Sequence, residues 1–169
     1  METRVLVAYA SKHGTTAEIA GKIGDTLKQA GLQVDVLTVK SVKDPASYKA
    51  FVLGSAVYIA MWRKEMAQFV QKNEKLLSGR PVWIFSSGPM GEGDPTELLH
   101  GWRFPEAQRS LIQSIKPRDV ALFHGAIDIK KMNLFEKWVL KSVKAPTGDF
   151  RDWDAINKWA AGIADELKK

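Results

Sequence analysis

The fold is decided by the stretch Val5–Gly31, which reads VLVAYASKHGTTAEIAGKIGDTLKQAG. It opens with an apolar run, Val5–Ala10, that is typical of a strand buried on both faces. A helical pattern follows over Thr15–Ala30, with an apolar residue at every fourth position and a glycine after it as a stop signal. A short polar segment, Ser11–Thr16, joins the two. The sequence therefore predicts a strand that enters a helix through a tight polar turn.

The rest of the chain continues this alternation. Further apolar runs lie at Val34–Val39, Phe51–Val57, Val82–Ser86 and Val120–Ala126. Helical patterns lie at Glu65–Leu77 and from the predicted N-cap Asp152 to about Leu167. Strands that alternate with helices through right-handed crossovers build a doubly wound α/β domain around a parallel sheet. We expect one such domain, of three layers (α/β/α), over residues 1–169.

The composition excludes several kinds of chemistry. The chain has 169 residues, a formal net charge of +6 and no cysteine, which excludes disulfides, thiolate catalysis and cysteine-ligated metals. Its three histidines, His13, His100 and His124, lack metal-ligand spacing, so we expect no metal site. The opening METRVLVAYA has no secretory signal and no apolar stretch is long enough for a bilayer, which predicts a cytoplasmic protein. The positive charge favours anionic partners, yet no nucleic-acid-binding motif is present.

The turn Ser11–Thr16, SKHGTT, has the composition of a phosphate site. Ligands of open α/β sheets bind at the carboxyl ends of the strands, where a helix N-terminus offers free N–H groups and a positive dipole end. Hydroxyl groups and a glycine add donors and close backbone approach. The turn lacks both G-x-G-x-x-G and G-x-x-x-x-G-K-[ST], which disfavours a dinucleotide site and a nucleotide-hydrolysing loop. Simple helix capping by Ser and Thr explains the same residues, so this turn alone leaves both interpretations open.

Two further loops leave the same edge of the predicted sheet. The third strand leads into Ser55–Trp62 and the fourth into Ser86–Gly91. Both loops offer small residues for backbone contact. They also carry side chains that can cover the face of a flat ring, namely Tyr58, Met61, Trp62 and Met90. A single aromatic residue after a strand packs into the core more often than it holds a ligand, but three converging loops favour a ligand site.

With these loops, the chain resembles the flavodoxin family over nearly its full length. Its S-K-H-G-T-T takes the place of that family's T-x-T-G-x-T phosphate loop, and two ring-binding loops follow. The chain is more closely similar to the flavodoxin-type protoporphyrinogen oxidases, which pass electrons to menaquinone. Three segments carry this closer similarity: Tyr9–Thr16, Gly54–Phe69 and Gly125–Trp159.

The resemblance implies noncovalently bound FMN in a flavodoxin-like sheet of five parallel strands in the order 2-1-3-4-5. It implies that the 5′-phosphate is held by Ser11, Lys12, His13, Gly14, Thr15 and Thr16. It implies that the ring system lies between Ser55, Ala56, Val57, Tyr58 and Trp62 on one side and Ser86, Ser87, Gly88, Pro89, Met90 and Gly91 on the other. FMN would supply the redox chemistry, and no side chain is expected to act as a general acid or base.

By the same resemblance, the expected activity is oxidation of a reduced tetrapyrrole with transfer of the electrons to a quinone. A flavodoxin-like electron carrier without its own substrate is one alternative, and an NAD(P)H-dependent flavin or quinone reductase is another, because fold alone does not decide among redox functions. A phospho-receiver on the same topology is excluded, since its acidic positions read Tyr9–Ser11 and Gly54–Val57 here.

Two features depart from the resemblance. Flavodoxins are acidic, whereas this chain is basic, which fits an anionic lipid surface or the carboxylates of a tetrapyrrole. The oxidases carry a basic loop after the fourth strand, whereas Gly88–Pro105 here has only His100 and Arg103 as basic residues. The composition of this loop therefore does not identify the substrate.

The segment Lys130–Lys144 is a candidate for contact with a partner. A predicted helix at Met132–Lys144 has apolar residues on one side and lysines on the other, as in helices that lie on a membrane surface. A helix packed on a parallel sheet needs the same apolar stripe, with its lysines facing solvent. We expect a redox partner or a small substrate, and keep peripheral contact with the inner face of the membrane as an alternative.

Overall fold

The computed structural model describes residues 3–58, 60–89, 93–142 and 148–169. The strands are β1 (Arg4–Ala10), β2 (Gln33–Thr38), β3 (Ala50–Tyr58), β4 (Met61–Trp62), β5 (Val82–Ser87), β6 (Asp119–Phe123), β7 (Ala126–Ile127) and β8 (Gly148–Asp149). The helices are α1 (Thr15–Gln29), α2 (Lys64–Lys72), α3 (Glu74–Ser78), α4 (Pro95–Leu98), α5 (Arg109–Ile115), α6 (Leu134–Ser142) and α7 (Trp153–Leu167). Within those ranges no helix has the length and apolarity to cross a bilayer.

The main sheet is parallel and has the strand order β2-β1-β3-β5-β6. The prediction of a parallel flavodoxin-like sheet is confirmed, but the predicted count of five strands is wrong. A sixth strand, β4, turns back from the end of β3 and pairs with it antiparallel, with Val57 opposite Trp62. Two residues are too few to produce an alternating pattern, so the sequence carries no signal for β4. The strands β7 and β8 form a separate antiparallel pair.

The apolar run of β1 is explained by helices on both faces of the sheet. Val5 and Val7 point into the layer formed by α1 and α7, whereas Leu6 and Ala8 point into the layer formed by α2, α3 and α5. All four are fully buried. Because both faces are covered, neither set of side chains is polar, and the three-layer arrangement follows.

Several predicted boundaries differ from the observed ones. The helix predicted at Glu65–Leu77 is interrupted at Asn73, whose side-chain amide donates to the carbonyl of Phe69 at 2.8 Å, so α2 ends and α3 begins there. The strand predicted to reach Ala126 ends at Phe123, because Gly125 leaves the sheet and donates its N–H to the carbonyl of Pro89.

Candidate functional site

The site lies where β1, β3 and β5 end. Ala10 of β1 is in register with Ser55 of β3, and Ala56 is in register with Ser87 of β5. The chain also reverses its direction of winding between β1 and β3, because β2 lies on one side of β1 and all later parallel strands lie on the other. Such a switch point opens a crevice between the loops that leave the two strands. The three predicted loops therefore meet at one edge of the sheet.

The turn after β1 presents an open helix N-terminus. Gly14 occupies the N-cap position of α1 with φ 88°, a left-handed conformation that favours glycine, and no side chain in the described residues caps the helix there. Ser11 Oγ instead accepts the N–H of Gly14 at 3.0 Å, which leaves the hydroxyl hydrogen of Ser11 available to a ligand. Simple capping therefore does not account for these residues, and the N–H groups of the first turn remain available to an anion.

Five of the predicted residues brace the loops beneath the cavity described next. Thr16 is fully buried, and its hydroxyl lies 2.8 Å from that of Ser87, which joins the start of α1 to the end of β5. The indole N–H of Trp62 donates to Ser86 Oγ at 2.8 Å. Ser55 Oγ accepts the backbone N–H of Arg63 at 3.0 Å. These hydrogen bonds hold the three loops in a fixed relation.

A cavity of about 230 Å³ lies above these braces. Nine predicted residues line it: Ser11, Lys12, His13, Thr15, Ala56, Val57, Tyr58, Ser87 and Gly88. The predicted residues Gly14, Thr16, Ser55, Trp62, Ser86 and Pro89 do not line it. Met90 and Gly91 lie outside the described residues. The cavity has polar and cationic groups at the α1 end and apolar walls at the other.

The far wall of this cavity comes from residues that sequence reasoning missed. They follow β6 or lie on α6: Gly125, Ala126, Ile127, Asp128, Met132, Glu136, Val139 and Leu140. The residues that follow β6 could have been predicted from the sequence, because the carboxyl end of the last parallel strand lies at the same edge of the sheet as the others. No comparable sequence pattern points to Glu136.

Glu136 makes two ion pairs with the turn after β1. Its Oε2 lies 2.7 Å from Nε2 of His13, and its Oε1 lies 3.1 Å from Nζ of Lys12. The hydrogen bond with His13, followed by that with Lys12, lowers the pKa of the Glu136 carboxyl, while burial opposes the shift. Lys12 Nζ also lies 5.5 Å from the centre of the Tyr58 ring. The Lys12 ammonium thus lies between the Glu136 carboxylate and the Tyr58 ring in the lining of the cavity.

A second groove of about 460 Å³ adjoins the cavity and shares Val57 and Gly88 with it. The remaining walls come from Ala60, Pro89, Leu98, Leu99, His100 and Trp102. Ala60 and His100 have φ values of 56° and 52°, and such left-handed non-glycine backbone is held in place only by its surroundings. Most of the groove is formed by the long loop between β5 and α5, and Val57 and Ala60 come from the end of β3 and the turn after it.

Buried His124 fixes the start of that loop. Its Nδ1 lies 3.1 Å from the carbonyl oxygen of Pro89, and its Nε2 lies 2.6 Å from that of Gly93. Each ring nitrogen thus faces a carbonyl of the loop. Among the described residues, no group of three or more histidine or acidic side chains could hold a metal ion.

Comparison with known proteins places the chain in a family. Residues 6–154 match the flavodoxin domain family, and the chain belongs to it. Over 173 aligned residues it is 23% identical to the protoporphyrinogen IX dehydrogenase [quinone] of Escherichia coli (strain K12), covering 95% of this chain and 94% of the relative.

Solved structures share the fold. A flavodoxin from the domain Archaea superposes with a TM-score of 0.65 at 16% identity, over 99% of this chain and 100% of its own. The rubredoxin oxygen:oxidoreductase of Desulfovibrio gigas superposes with a TM-score of 0.62 at 15% identity, over 99% of this chain and 37% of its own. The flavodoxin resemblance and its α/β fold are therefore confirmed.

The cofactor of this family is FMN, and the residues present fit it. The uncapped N-terminus of α1, the Ser11 hydroxyl, the Lys12 ammonium and the ring N–H of His13 suit a phosphate. Ala56 and Val57 give the cavity the apolar wall that a flat ring needs. The assignment of these residues to a phosphate end and a ring end stays a prediction.

Proposed function

We propose that this flavodoxin-like protein is an FMN-dependent oxidoreductase that oxidises a reduced tetrapyrrole and passes the electrons to a quinone. One observation carries the proposal, the groove beside the cofactor cavity. A protein that only exchanges electrons with other proteins needs an exposed cofactor edge and no pocket of its own. This groove has about 460 Å³, within the range of about 300–1,000 Å³ typical of small-molecule sites.

The walls of the groove suit an apolar, ring-shaped donor or acceptor. Leu98, Leu99, Trp102 and Pro89 offer an apolar surface, and His100 adds one group able to hydrogen-bond a carboxylate or a carbonyl. Val57 and Gly88 line both spaces, so a molecule in the groove would lie directly beside the cofactor ring. This proximity supports direct electron transfer between the molecule in the groove and the cofactor ring.

The acidic residues that the structure describes in the long loop do not line the groove. Asp94 caps α4 by accepting the N–H groups of Thr96 and Glu97. Glu106 pairs with Arg109 at 2.6 Å. Neither acid lines the groove, so its walls present no described carboxylate to the substrate.

Different parts of the chain would position the cofactor and the electron donor. FMN, when bound, accepts electrons from a donor and returns them to an acceptor. The turn Ser11–Thr16 would hold its phosphate, the loops after β3 and β5 would hold its ring, and the groove would orient the donor beside that ring. Because Ser87 has a hydroxyl in the cavity, it can donate a hydrogen bond to the ring when Thr16 donates to it.

The test is anaerobic reduction of the FMN-loaded protein by protoporphyrinogen, followed by addition of a quinone. We expect loss of the visible flavin absorbance with the donor and its return with the quinone. Leu98→Glu should abolish reduction by the porphyrin while FMN stays bound, because it places a charge in an apolar groove. The matched control is Ile129→Glu, since Ile129 is 45% exposed, as Leu98 is at 46%, and lines neither space.

Other outcomes select the alternatives. Reduction by NAD(P)H and not by the porphyrin would identify a nicotinamide-dependent reductase. Reduction only by a protein partner would identify an electron carrier. Either result would overturn the proposed substrate and leave the FMN site untouched.

We also propose that α6 contacts the surface of an anionic membrane. Its side chains Leu134, Phe135 and Trp138 are 85%, 70% and 65% exposed, so they do not pack on the sheet as a covered helix would require. Lys130, Lys131 and Lys141 are exposed around them. Apolar side chains ringed by lysines suit the boundary between headgroups and acyl chains. Lys144 lies outside the described residues.

A further inference from the structure

Glu136 is an acid on an otherwise outward-facing part of α6. Its neighbours Leu134 and Phe135 are exposed, whereas the Glu136 side chain is only 5% exposed. Its backbone N–H is fixed by Asn133 Oδ1 at 2.8 Å. A carboxylate is rarely buried to this degree unless it is paired. The partners found here are Lys12 and His13, both in the turn after β1.

A carboxylate and a phosphate make the same demand on these two cations. Both are oxyanions that accept from ammonium and imidazole N–H groups, with short charge-assisted hydrogen bonds. Nε2 of His13 is already directed at Glu136 Oε2 at 2.7 Å, and Nζ of Lys12 lies 3.1 Å from Oε1. A phosphate dianion at this turn would therefore meet a nearby negative charge that shares its cations.

The cavity size gives a second, independent indication. Its volume of about 230 Å³ is below the range of about 300–1,000 Å³ found for ligand sites. Part of its wall comes from α6, through Glu136, Val139 and Leu140, and from Met132 just before that helix. An outward shift of α6 would enlarge the cavity, and the two ion pairs of Glu136 are what tie this wall to the turn.

We propose that Glu136 is an internal competitor for the phosphate-binding cations, and that FMN binding releases it from Lys12 and His13. In this arrangement α6 acts as a latch over the cavity. The phosphate of the cofactor replaces the Glu136 carboxylate on the turn, and α6 moves outward as the cavity fills. The inference rests on the FMN site of the family and is independent of the electron donor.

The latch makes Glu136 a determinant of how strongly the turn selects a phosphorylated flavin. While Glu136 is bonded to Lys12 and His13, the phosphate must displace it before it can contact the same two side chains. Riboflavin has no phosphate and gains nothing from those cations. Removal of the charge at position 136 must therefore affect FMN more than riboflavin.

The experiment compares the dissociation constants of FMN and riboflavin, measured by quenching of flavin fluorescence in the purified protein. Glu136→Gln keeps the shape and removes the charge. We expect it to tighten FMN binding roughly tenfold, since two pairs to a nearly buried carboxylate no longer compete. Riboflavin binding should change less than about twofold, because it makes no demand on these cations. Glu166→Gln is the control for loss of one paired carboxylate, because Glu166 pairs with Arg118 at a distance of 3.4 Å and does not line the cavity.

Two results would overturn the latch. Weaker FMN binding in Glu136→Gln would mean that Glu136 holds His13 in place for the phosphate. Unchanged binding, or an equal change for both flavins, would mean that the carboxylate does not compete. Should Glu136→Gln fail to fold, Glu136→Asp keeps the charge but shortens its reach by one methylene, and FMN must then bind more tightly while riboflavin does not. None of these assays uses a porphyrin or a quinone, so their failure is separate from failure of the proposed function.

Discussion

At the scale of single residues, Gly54 shows how closely the strands are packed at the centre of the sheet. Gly54 is paired with Phe85 on the neighbouring strand. A Cβ atom at position 54 would lie 1.9 Å from the Phe85 ring, far inside the contact distance of two carbon atoms. The ring thus lies over the glycine, and only a residue without a side chain fits beneath it.

Gly54→Ala is therefore expected to lower the free energy of unfolding by about 1–3 kcal/mol, because Phe85 must leave its place in a well-packed core. Urea unfolding followed by circular dichroism measures this change. Gly162→Ala in α7 is the control, since nothing lies within 4 Å of a Cβ there. It should raise stability by about 0.5–1 kcal/mol, because alanine favours a helix. Equal effects of the two substitutions would contradict this account of the packing.

The pair Asp35 and Tyr48 couples stability to pH. The Tyr48 hydroxyl donates to Asp35 Oδ2 at 2.6 Å, and this hydrogen bond lowers the pKa of Asp35 below 3.8. Burial, aided by the same bond, raises the pKa of Tyr48 from 10.0 to about 12. The contribution of Asp35 is thus complete above its ordinary pKa and lost as the pH falls through the lowered one. That of Tyr48 is complete below pH 10 and lost as the pH rises toward 12.

Tyr48→Phe should lower the free energy of unfolding by about 1 kcal/mol at neutral pH, the typical net value of one hydrogen bond. It should also flatten the loss of stability at both the acid and alkaline extremes. Thermal unfolding between pH 3 and pH 11 measures both effects. Tyr9→Phe removes a hydroxyl from β1 without touching Asp35 and serves as control. An unchanged pH profile in Tyr48→Phe would rule out this coupling.

At the scale of elements, the orientation of α6 is the one that the periodicity of the sequence predicts least well. Val139 and Leu140 line the cavity with Glu136, while the larger apolar side chains Leu134, Phe135 and Trp138 are exposed. The helical pattern identifies which residues share a face, but it does not tell which face is covered. The proposed membrane contact depends on this orientation.

Sedimentation with vesicles tests the contact. The chain should bind vesicles of mixed phosphatidylcholine and phosphatidylglycerol at low salt and release them as salt screens the charges. Lys137→Glu with Lys141→Glu should weaken binding at least tenfold, since each basic residue contributes about 1 kcal/mol near an anionic surface. Lys72→Glu with Lys75→Glu makes the same charge change on α2 and α3. A similar loss in both pairs would mean that net charge alone attracts the vesicles and that α6 has no special part.

At the scale of the whole molecule, the cofactor site joins distant parts of the chain. Ligand binding to the folded state alone stabilises it by about 2.7 kcal/mol at a free concentration of one hundred times Kd. For a domain of this size that corresponds to a rise in Tm of roughly 5–10 °C. Differential scanning calorimetry with added FMN measures the rise. Riboflavin at the same concentration should give a smaller one, and equal shifts would contradict a role of the turn Ser11–Thr16 in phosphate binding.

The sequence by itself determined the α/β class, the five apolar runs of the parallel strands and the turn after β1. These features depend on short-range patterns, because a strand buried on both faces must be apolar throughout and a helix must repeat every 3.6 residues. The switch-point rule then brought the turn and the loops after β3 and β5 to one edge, where the structure has them.

Only the tertiary structure decided what closes that edge. The pairing of Glu136 with His13 joins residues 123 positions apart, and no local pattern encodes such a contact. The burial of Trp62 below the cavity, the groove beside it and the outward face of α6 likewise depend on how whole elements pack. Periodicity assigns a residue to a face of its own element, whereas the partner of that face is fixed by long-range packing of the complete chain.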